Sequence, residues 1–354
     1  MARIVVAGAG AIGASIAYHL AARGADDVVL VDRAEIASGS TAMAMGGVRQ
    51  QFSTAAEVRL AQESIRFFEE LGPALFQQVG YLFLATTEEG LAALEERRAL
   101  QLELGVPVER LDARAIAALA PGVFTEDVLA GVVCRQDGVA DPPSVARELV
   151  RRAAAGGVRV KEQTSVEDVD GDIVVLACGA YSAEVAKGYG IGLPVRPLSR
   201  QLFETTPLPD LAETLPMVLE GESGFHFRRN GRSLRVAMPD PEPRWAAEAS
   251  VDESLLPDRL ERLARRFPAA AGAGIERAWA GLYDMTPDAH PIIGFVGDGI
   301  YAACGFSGHG FMQSPAVGRA VAEELLDGSS TLDLTPYRLE RFAAGVVFPE
   351  EVVL

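Results

Sequence analysis

The residues with the clearest chemical meaning stand near the N-terminus. Gly8, Gly10 and Gly13 are spaced GxGxxG between an apolar run, Ile4 to Ala7, and a segment with helical periodicity. Gly8 permits a tight turn, Gly10 lets a pyrophosphate approach the backbone, and Gly13 lets the helix pack close to the strand. The helix N-terminus then offers free N–H groups and the positive end of its dipole to a diphosphate. Asp32 follows Gly13 by 19 residues, at the end of a second apolar run, Val28 to Val31. A carboxylate there accepts hydrogen bonds from a ribose hydroxyl pair and disfavours a 2′-phosphate, hence NADP. The motif alone does not separate NAD from FAD.

Two further segments bear on that choice. Ser38 to Arg49 carries Gly39, Ser40, Thr41, Gly46 and Gly47, a second small-residue loop that a plain NAD domain does not need. Its bland alternative is a flexible surface loop. Near the C-terminus, Cys304-Gly305-Phe306-Ser307-Gly308-His309-Gly310-Phe311 leads into a helix and so makes a second positive helix end. In a flavoenzyme this dipole stabilises negative charge at the N1/C2=O end of the reduced ring.

The elements that position these residues follow from periodicity. Ile4 to Ala7 reads as a strand buried on both faces. Ala14 to Arg23 reads as a helix, with Ile16, Ala17 and Leu20 on one face and Gly24 as its stop. With the strand Val28 to Val31 they form a parallel βαβ unit. Helices are expected over Ala55 to Leu71, Glu88 to Leu104 and Asp112 to Leu119, with a strand over Tyr81 to Ala85. Asp141 is a plausible N-cap, and Pro142 the first residue, of a helix ended by Gly156-Gly157. Short strands follow over Val158 to Val160 and Ile173 to Ala177. From Pro194 to Arg277 the strands have mixed polarity (Gln201 to Glu204, Gly224 to Arg229, Ser233 to Met238), with one helix, Leu256 to Phe267. Small residues then return, with a strand over Ile300 to Ala303, a loop over Gly305 to Gly310 and a helix over Ser314 to Leu326. The expected fold is α/β. A Rossmann-like cofactor domain is built from 1–80, 137–195 and 278–354, and a substrate domain with a mixed, largely antiparallel sheet from 81–136 and 196–277.

Composition excludes several classes. At 354 residues with 49% hydrophobic and 23% charged residues, the chain has ample material for a core. No run of ~20 apolar residues offers a membrane span. A net charge of −17 argues against nucleic acid, since a negative field repels phosphate. Three cysteines, Cys134, Cys178 and Cys304, give neither a disulfide framework nor a CxxC metal pattern, so no metal site is expected. Scarce cysteine and no visible signal peptide point to a reducing cytoplasm.

Longer stretches carry a resemblance. GAGAIGASIAYHLAARGADDVVLVDR, GGVRQQF, ERLDARAIAALAP, DGVADPPSVARELVRRAAAGGVRV, DIVVLACGAYS, TPDAHPIIG and ACGFSGHGFMQSPAVGRAVAEEL resemble the D-amino-acid oxidase superfamily, in the branch of sarcosine, glycine and dimethylglycine oxidases. GFSGHGF is the most specific motif. The resemblance spans nearly the whole chain and implies an FAD enzyme that oxidises the C–N bond of an amine or amino acid by hydride transfer. It places Gly8, Gly10, Ile12 and Gly13 at the diphosphate, and Asp32 and Arg33 at the adenosine end. Ser40, Thr41, Met45 and Gly46 match the loop at the diphosphate and flavin. Val166 matches a backbone contact to adenine, and Ala177, Cys178 and Gly179 a second strand end under the cofactor. Gly308, His309, Gly310, Phe311 and Met312 match the loop beside the flavin pyrimidine ring.

Three departures from the sarcosine oxidases matter. Gly281, beside Leu282, stands where those enzymes carry a cysteine linked to flavin, which implies noncovalent FAD. Met312 replaces a lysine that binds substrate carboxylate. Arg235 aligns with a lysine linked to oxygen activation, so oxidase and dehydrogenase both stay open, with O2 or another acceptor. Facing the substrate, Arg49 is the candidate carboxylate ligand. His226, which strand alternation places with Arg228 on one face, is a candidate proton acceptor or pocket wall. Tyr283 is a candidate hydrogen-bond donor, and His309 completes the set. Gln313 is a weaker candidate; Trp245 and Trp279 are expected in the core or at the domain interface. The expected partner is a small amine or amino acid, with homo- or hetero-oligomers open. The rival readings are an FAD-binding assembly or chaperone-type protein without amine turnover, and an NAD-dependent dehydrogenase.

Overall fold

A computed structural model describes residues 2–350. The N-terminal run forms the centre of a six-stranded sheet. Its order is Ile292–Gly297, Ile300–Cys304, Ile173–Leu176, Ile4–Ala7, Val28–Val31 and Arg159–Lys161, parallel except for the antiparallel first pair. Ile4 pairs with both Ile173 and Val28, and all four residues of Ile4–Ala7 are buried. That explains the unbroken apolar run, since both faces of the sheet are covered. One face meets the helices Ala11–Ala22, Pro142–Ala155 and Gly310–Asp327 through Val6, Ala14, Ala17, Leu149 and Val317. The other face packs Val5, Val29 and Leu176 against Ala186 and Leu193.

The strands of mixed polarity form a nine-stranded sheet, ordered Arg244–Trp245, Arg196–Thr205, Ser233–Ala237, His226–Asn230, Met217–Glu220, Tyr81–Ala85, Ala130–Cys134 and Val108–Leu111, with Ile275–Met285 also paired to Arg196–Thr205. The pairing of Met217–Glu220 with Tyr81–Ala85 is parallel and the other pairings are antiparallel. Phe225 and Phe227 face a core of Leu82, Val218, Phe203 and Phe267, while His226 faces the other way. A small sheet of Gly47–Val48, Gly138–Ala140 and Phe76–Gln77 sits between the two.

Capping follows the sequence. Asp141 accepts from Ser144 N at 3.1 Å with Pro142 opening the helix, and Thr54 accepts from Glu57 N at 3.4 Å. Four expectations change. The strand Ile275–Met285 is continuous across 277/278, because no glycine or proline interrupts its pairing there. The first helix begins at Ala11, since the turn takes only Gly8 to Gly10. The last helix begins at Gly310, so Phe311, Met312 and Gln313 are helical. Pro315 is tolerated near its start, with Ser314 Oγ donating to the Phe311 carbonyl at 2.9 Å. Trp245 lies 44% exposed on an edge strand with the Arg196 guanidinium over its ring, not in the core.

The tightest point is the first turn. A Cβ on Gly8 would lie 2.3 Å from the Ala177 carbonyl oxygen, and one on Gly13 1.8 Å from that of Gly8. Gly8 also has a φ of +102°. A Cβ on Gly10 would meet only the Thr41 Oγ1 at 3.0 Å, a side chain that can turn away. Gly13→Ala is therefore expected to cost about 1–3 kcal/mol or more and to lower Tm and flavin content together. Gly10→Ala should spare Tm. Purification of both variants, with absorbance for flavin and a thermal melt, checks the difference.

Candidate active site

A cavity of about 720 Å³ runs along the carboxyl ends of the parallel strands and under the second sheet. This is the crevice where open α/β sheets bind their ligands, and its size is that of a cofactor site. At one end the Asp32 carboxylate accepts from Ala9 N at 2.7 Å and from Ala34 N at 2.8 Å. Arg33 lies over the Tyr181 ring at 3.9 Å, near Val166 and Glu167. In the middle the helix N-terminus at Gly10, Ala11 and Ile12 faces the space, with Thr41 Oγ1 accepting from Ala11 N at 3.0 Å. Ser40 Oγ donates to the Leu282 carbonyl at 2.7 Å, joining the small-residue loop to the long strand.

That loop is held from the second sheet by three donors. Trp279 Nε1 donates to the Met43 carbonyl at 3.1 Å, Arg235 to that of Ala44 at 3.2 Å and Arg228 Nε to that of Met45 at 2.6 Å. Gly46 has a φ of +85°, and a Cβ there would meet the Ala140 carbonyl oxygen at 2.3 Å. The loop is thus a fixed wall rather than a flexible surface segment. Arg235 is committed elsewhere as well: Glu204 takes its guanidinium at 2.7 and 2.9 Å.

The far end gathers Arg49, Tyr81, His226, Tyr283 and His309. Arg49 is 1% exposed, donates to the Gln51 carbonyl and lies over the Phe52 ring at 4.0 Å. It also approaches His309 Nε2 at 3.3 Å. Gln51 is placed by Asp137, whose two oxygens accept from Gln50 N and Gln51 Nε2 at 3.0 Å each. Burial raises the Asp137 pKa to about 6 against these donors.

His226 Nδ1 lies 2.7 Å from the Gly224 carbonyl, which makes Nδ1 the donor and leaves the Nε2 lone pair free of the proton. Burial pulls the His226 pKa down to about 4, opposed by the bond to Gly224 and helped by the positive charges of Arg49 and Arg200. Burial raises the Tyr283 pKa, which keeps its hydroxyl a neutral donor. The glycine loop is pinned beside it. Asp284 accepts from Gly305 N at 2.7 Å, and a Cβ on Gly308 would lie 2.3 Å from the Tyr283 ring.

The cofactor and catalytic candidates read from the sequence all border this cavity except Gly13, while Gln313, Arg235, Trp245 and Trp279 lie outside its lining. Gly13 sits behind the turn, where its role is close packing. Gln313 is fully buried and donates to Glu57, itself paired to His290 at 3.0 Å. Tyr81, Asp137, Arg200 and Asp284 were not anticipated. The alternation Leu198, Arg200, Leu202 along one strand was the available signal for Arg200; the others depend on contacts between distant segments. Among the described residues, no group of three or more His, Cys, Asp or Glu is placed to hold a metal ion. No described helix is long and apolar enough to cross a membrane.

Residues 3–324 match the family model of the DAO FAD-dependent oxidoreductases. The chain belongs to that family. It is 30% identical to the FAD-dependent oxidoreductase domain-containing protein 1 of Bos taurus, over 99% of this chain and 87% of that one. It is 26% identical to the glycine oxidase of Geobacillus kaustophilus (strain HTA426), over 96% of both chains. Among solved structures, the L-proline dehydrogenase from P. horikoshii superposes with a TM-score of 0.91 at 28% identity, covering 98% of this chain and 99% of that one. The family's cofactor is FAD, and the cavity fits it. The helix N-terminus at Gly10 and Ala11 would receive its diphosphate, Asp32 would face its adenosine side, and the small-residue loop and GFSGHGF loop would wall its ring end.

Two outcomes follow from this geometry. Gly281 offers no nucleophile and packs with its Cα side on Met43, so acid precipitation should release all flavin into the supernatant; flavin retained in the pellet would contradict this. The neutral His226 links stability to pH. The unfolded chain takes this proton near the ordinary 6.5 and the fold only near 4, so its contribution is full above about 6.5 and is lost as pH falls toward 4. Asp137 and Asp284, both raised to about 6, act in the opposite sense, so the test is a difference. His226→Asn should flatten the fall in unfolding free energy between about pH 6.5 and 4.5 by one proton's slope, as read by urea titrations.

Proposed function

We propose that this protein oxidises the C–N bond of a small amino acid or a secondary or N-methylated amine. The observation that carries this reading is the convergence of Arg49, His226 and Tyr283 at the ring end of the cavity, beside the loop that holds His309. Segments 81–136 and 196–285 form the substrate unit, and the remaining segments form the cofactor unit.

Arg49 binds the substrate carboxylate; its orientation is set by the Gln51 carbonyl, the Phe52 face and His309 Nε2. Met312, in the first turn of the last helix, supplies an apolar wall where a lysine would have supplied a second charge. The substrate binds as the neutral amine, and the unprotonated His226 Nε2 accepts a hydrogen bond from its N–H, leaving the α C–H bond as the one broken. Tyr283 donates a hydrogen bond to the bound substrate. FAD, which the helix N-terminus at Gly10 and Ala11, Asp32 and the loop at Gly308 to Phe311 would hold, would supply the hydride acceptor, and the imine product is hydrolysed in water. The protein's share is positioning and electrostatic preorganisation.

Arg235 is bound to Glu204 and to the Ala44 carbonyl, so it offers no free cation to oxygen. This favours a dehydrogenase with an acceptor other than O2. Reoxidation of the reduced protein should be slower in air than with an artificial electron acceptor.

The test is anaerobic mixing with N-methyl, cyclic and D-amino acids. At least one class should bleach the flavin. Arg49→Gln should lower the second-order rate of bleaching about 10- to 100-fold with flavin content unchanged. If no amine of any class bleaches the flavin, the reading fails and a flavin-binding assembly protein takes its place.

A further inference from the structure

The protein pairs its buried cations with care. Arg235 meets Glu204, Arg259 meets Asp240, Arg266 meets Glu220 and Asp127, and Arg341 meets Asp288. Of the described residues, Arg228 has no carboxylate but is held by the Met45 and Arg229 carbonyls, whereas half-buried Arg200 has neither kind of partner. Among the described residues it has no ion-pair partner and no hydrogen bond, and its Nε is buried without an acceptor. No acidic residue among those described forms an ion pair with it.

Its location gives this meaning. Arg200 borders the same cavity as Arg49 and lies opposite Gly281 in the strand pairing. Its guanidinium carbon is 5.8 Å from the centre of the Tyr283 ring. The cross-strand row Leu202, Ala237, His226 puts His226 on the same face of the sheet. Arg200 is then two strands across and two residues along from it, about 10 Å by about 7 Å. The positive charges of Arg49 and Arg200 both act on the His226 ring and the Tyr283 hydroxyl. Asp284, on the alternate side of its strand, turns its carboxylate to Gly305 N and does not answer Arg200. A cation left unpaired in a partly desolvated chamber is costly unless a ligand supplies the counter-charge.

We propose that Arg200 is a second anion subsite of the substrate chamber, so that the substrate is an amino or imino acid carrying two acidic groups. Its α-carboxylate sits on Arg49 and the distal acid on Arg200. This rests on the reaction proposed above for its chemistry, but not for its binding.

The experiment separates the two. The flavin-loaded protein is titrated with acids that carry no amine, glutarate and succinate against butyrate, and binding is read from the perturbed flavin spectrum. The dicarboxylates should bind at least about tenfold tighter than butyrate. In Arg200→Gln that ratio should fall to within about twofold, and Arg200→Lys should restore part of it. Tm and flavin content of both variants report that the fold is kept. In anaerobic reduction by N-methylated aspartate or glutamate, Arg200→Gln should raise KM about tenfold and move kcat less. Equal binding of mono- and dicarboxylates by the unaltered protein overturns the proposal, as does a preference that survives Arg200→Gln. Preferential dicarboxylate binding with no amine able to bleach the flavin leaves the subsite standing and removes the proposed reaction.

Discussion

The structure depends on one close approach. Where the strand Ile4–Ala7 hands over to the helix Ala11–Ala22, the backbones of Gly8, Gly13 and Ala177 meet at distances that leave no room for a Cβ. Gly8 N donates to the Val31 carbonyl at 2.8 Å and Ala177 N to the Ala7 carbonyl at 2.8 Å, so three strand ends are bound together at one point. This convergence lets a helix N-terminus, the Asp32 carboxylate and the strand end at Cys178 face a common space. A single added methyl group would separate them. The cofactor crevice is therefore a property of backbone packing before it is a property of any side chain.

The second sheet has to be fixed to that crevice, and the fixing is done by hydrogen bonds to three consecutive carbonyls. Met43, Ala44 and Met45 accept from Trp279, Arg235 and Arg228, which come from three different strands. Arg228 is nine-tenths buried, has no carboxylate partner among the described residues, and burial lowers its pKa to about 9. Its bonds to the carbonyls of Met45 and Arg229 are what hold it. Charge-assisted bonds of this kind are stronger than neutral ones and fix orientation. They set the ring end of the cavity relative to Arg49 and His226, which neither sheet could do alone. The same logic explains why Glu204 is kept at the site: it takes Arg235 and Arg277 together.

Much of this was legible in the chain. The GxGxxG turn, Asp32, the parallel βαβ unit and the capped helix at Pro142–Ala155 each follow from local rules: a glycine where backbones touch, an acid at a strand end, an acceptor before a proline. Helical periodicity placed Ala55–Leu71 without error, because its buried positions recur every three or four residues. The segment 275–285 was misdivided at 277/278, since its strand character lies in pairing with Arg196–Thr205, some eighty residues earlier, and not in its own alternation. Trp245 was misplaced for a related reason. An aromatic side chain is expected inside, yet this one finds its apolar contact on the surface against Arg196.

By itself the sequence marked a dinucleotide turn through its glycines and strand-end acid, and its resemblance to the D-amino-acid oxidase superfamily implied FAD. Tertiary structure alone decided which charges remain uncompensated. That Arg235 is paired with Glu204, that Arg49 is aligned by Gln51 and His309, and that Arg200 faces the cavity with no partner among the described residues are facts about segments far apart in the chain. Ionic pairing acts over a few ångströms of space, and spacing along the chain does not encode it.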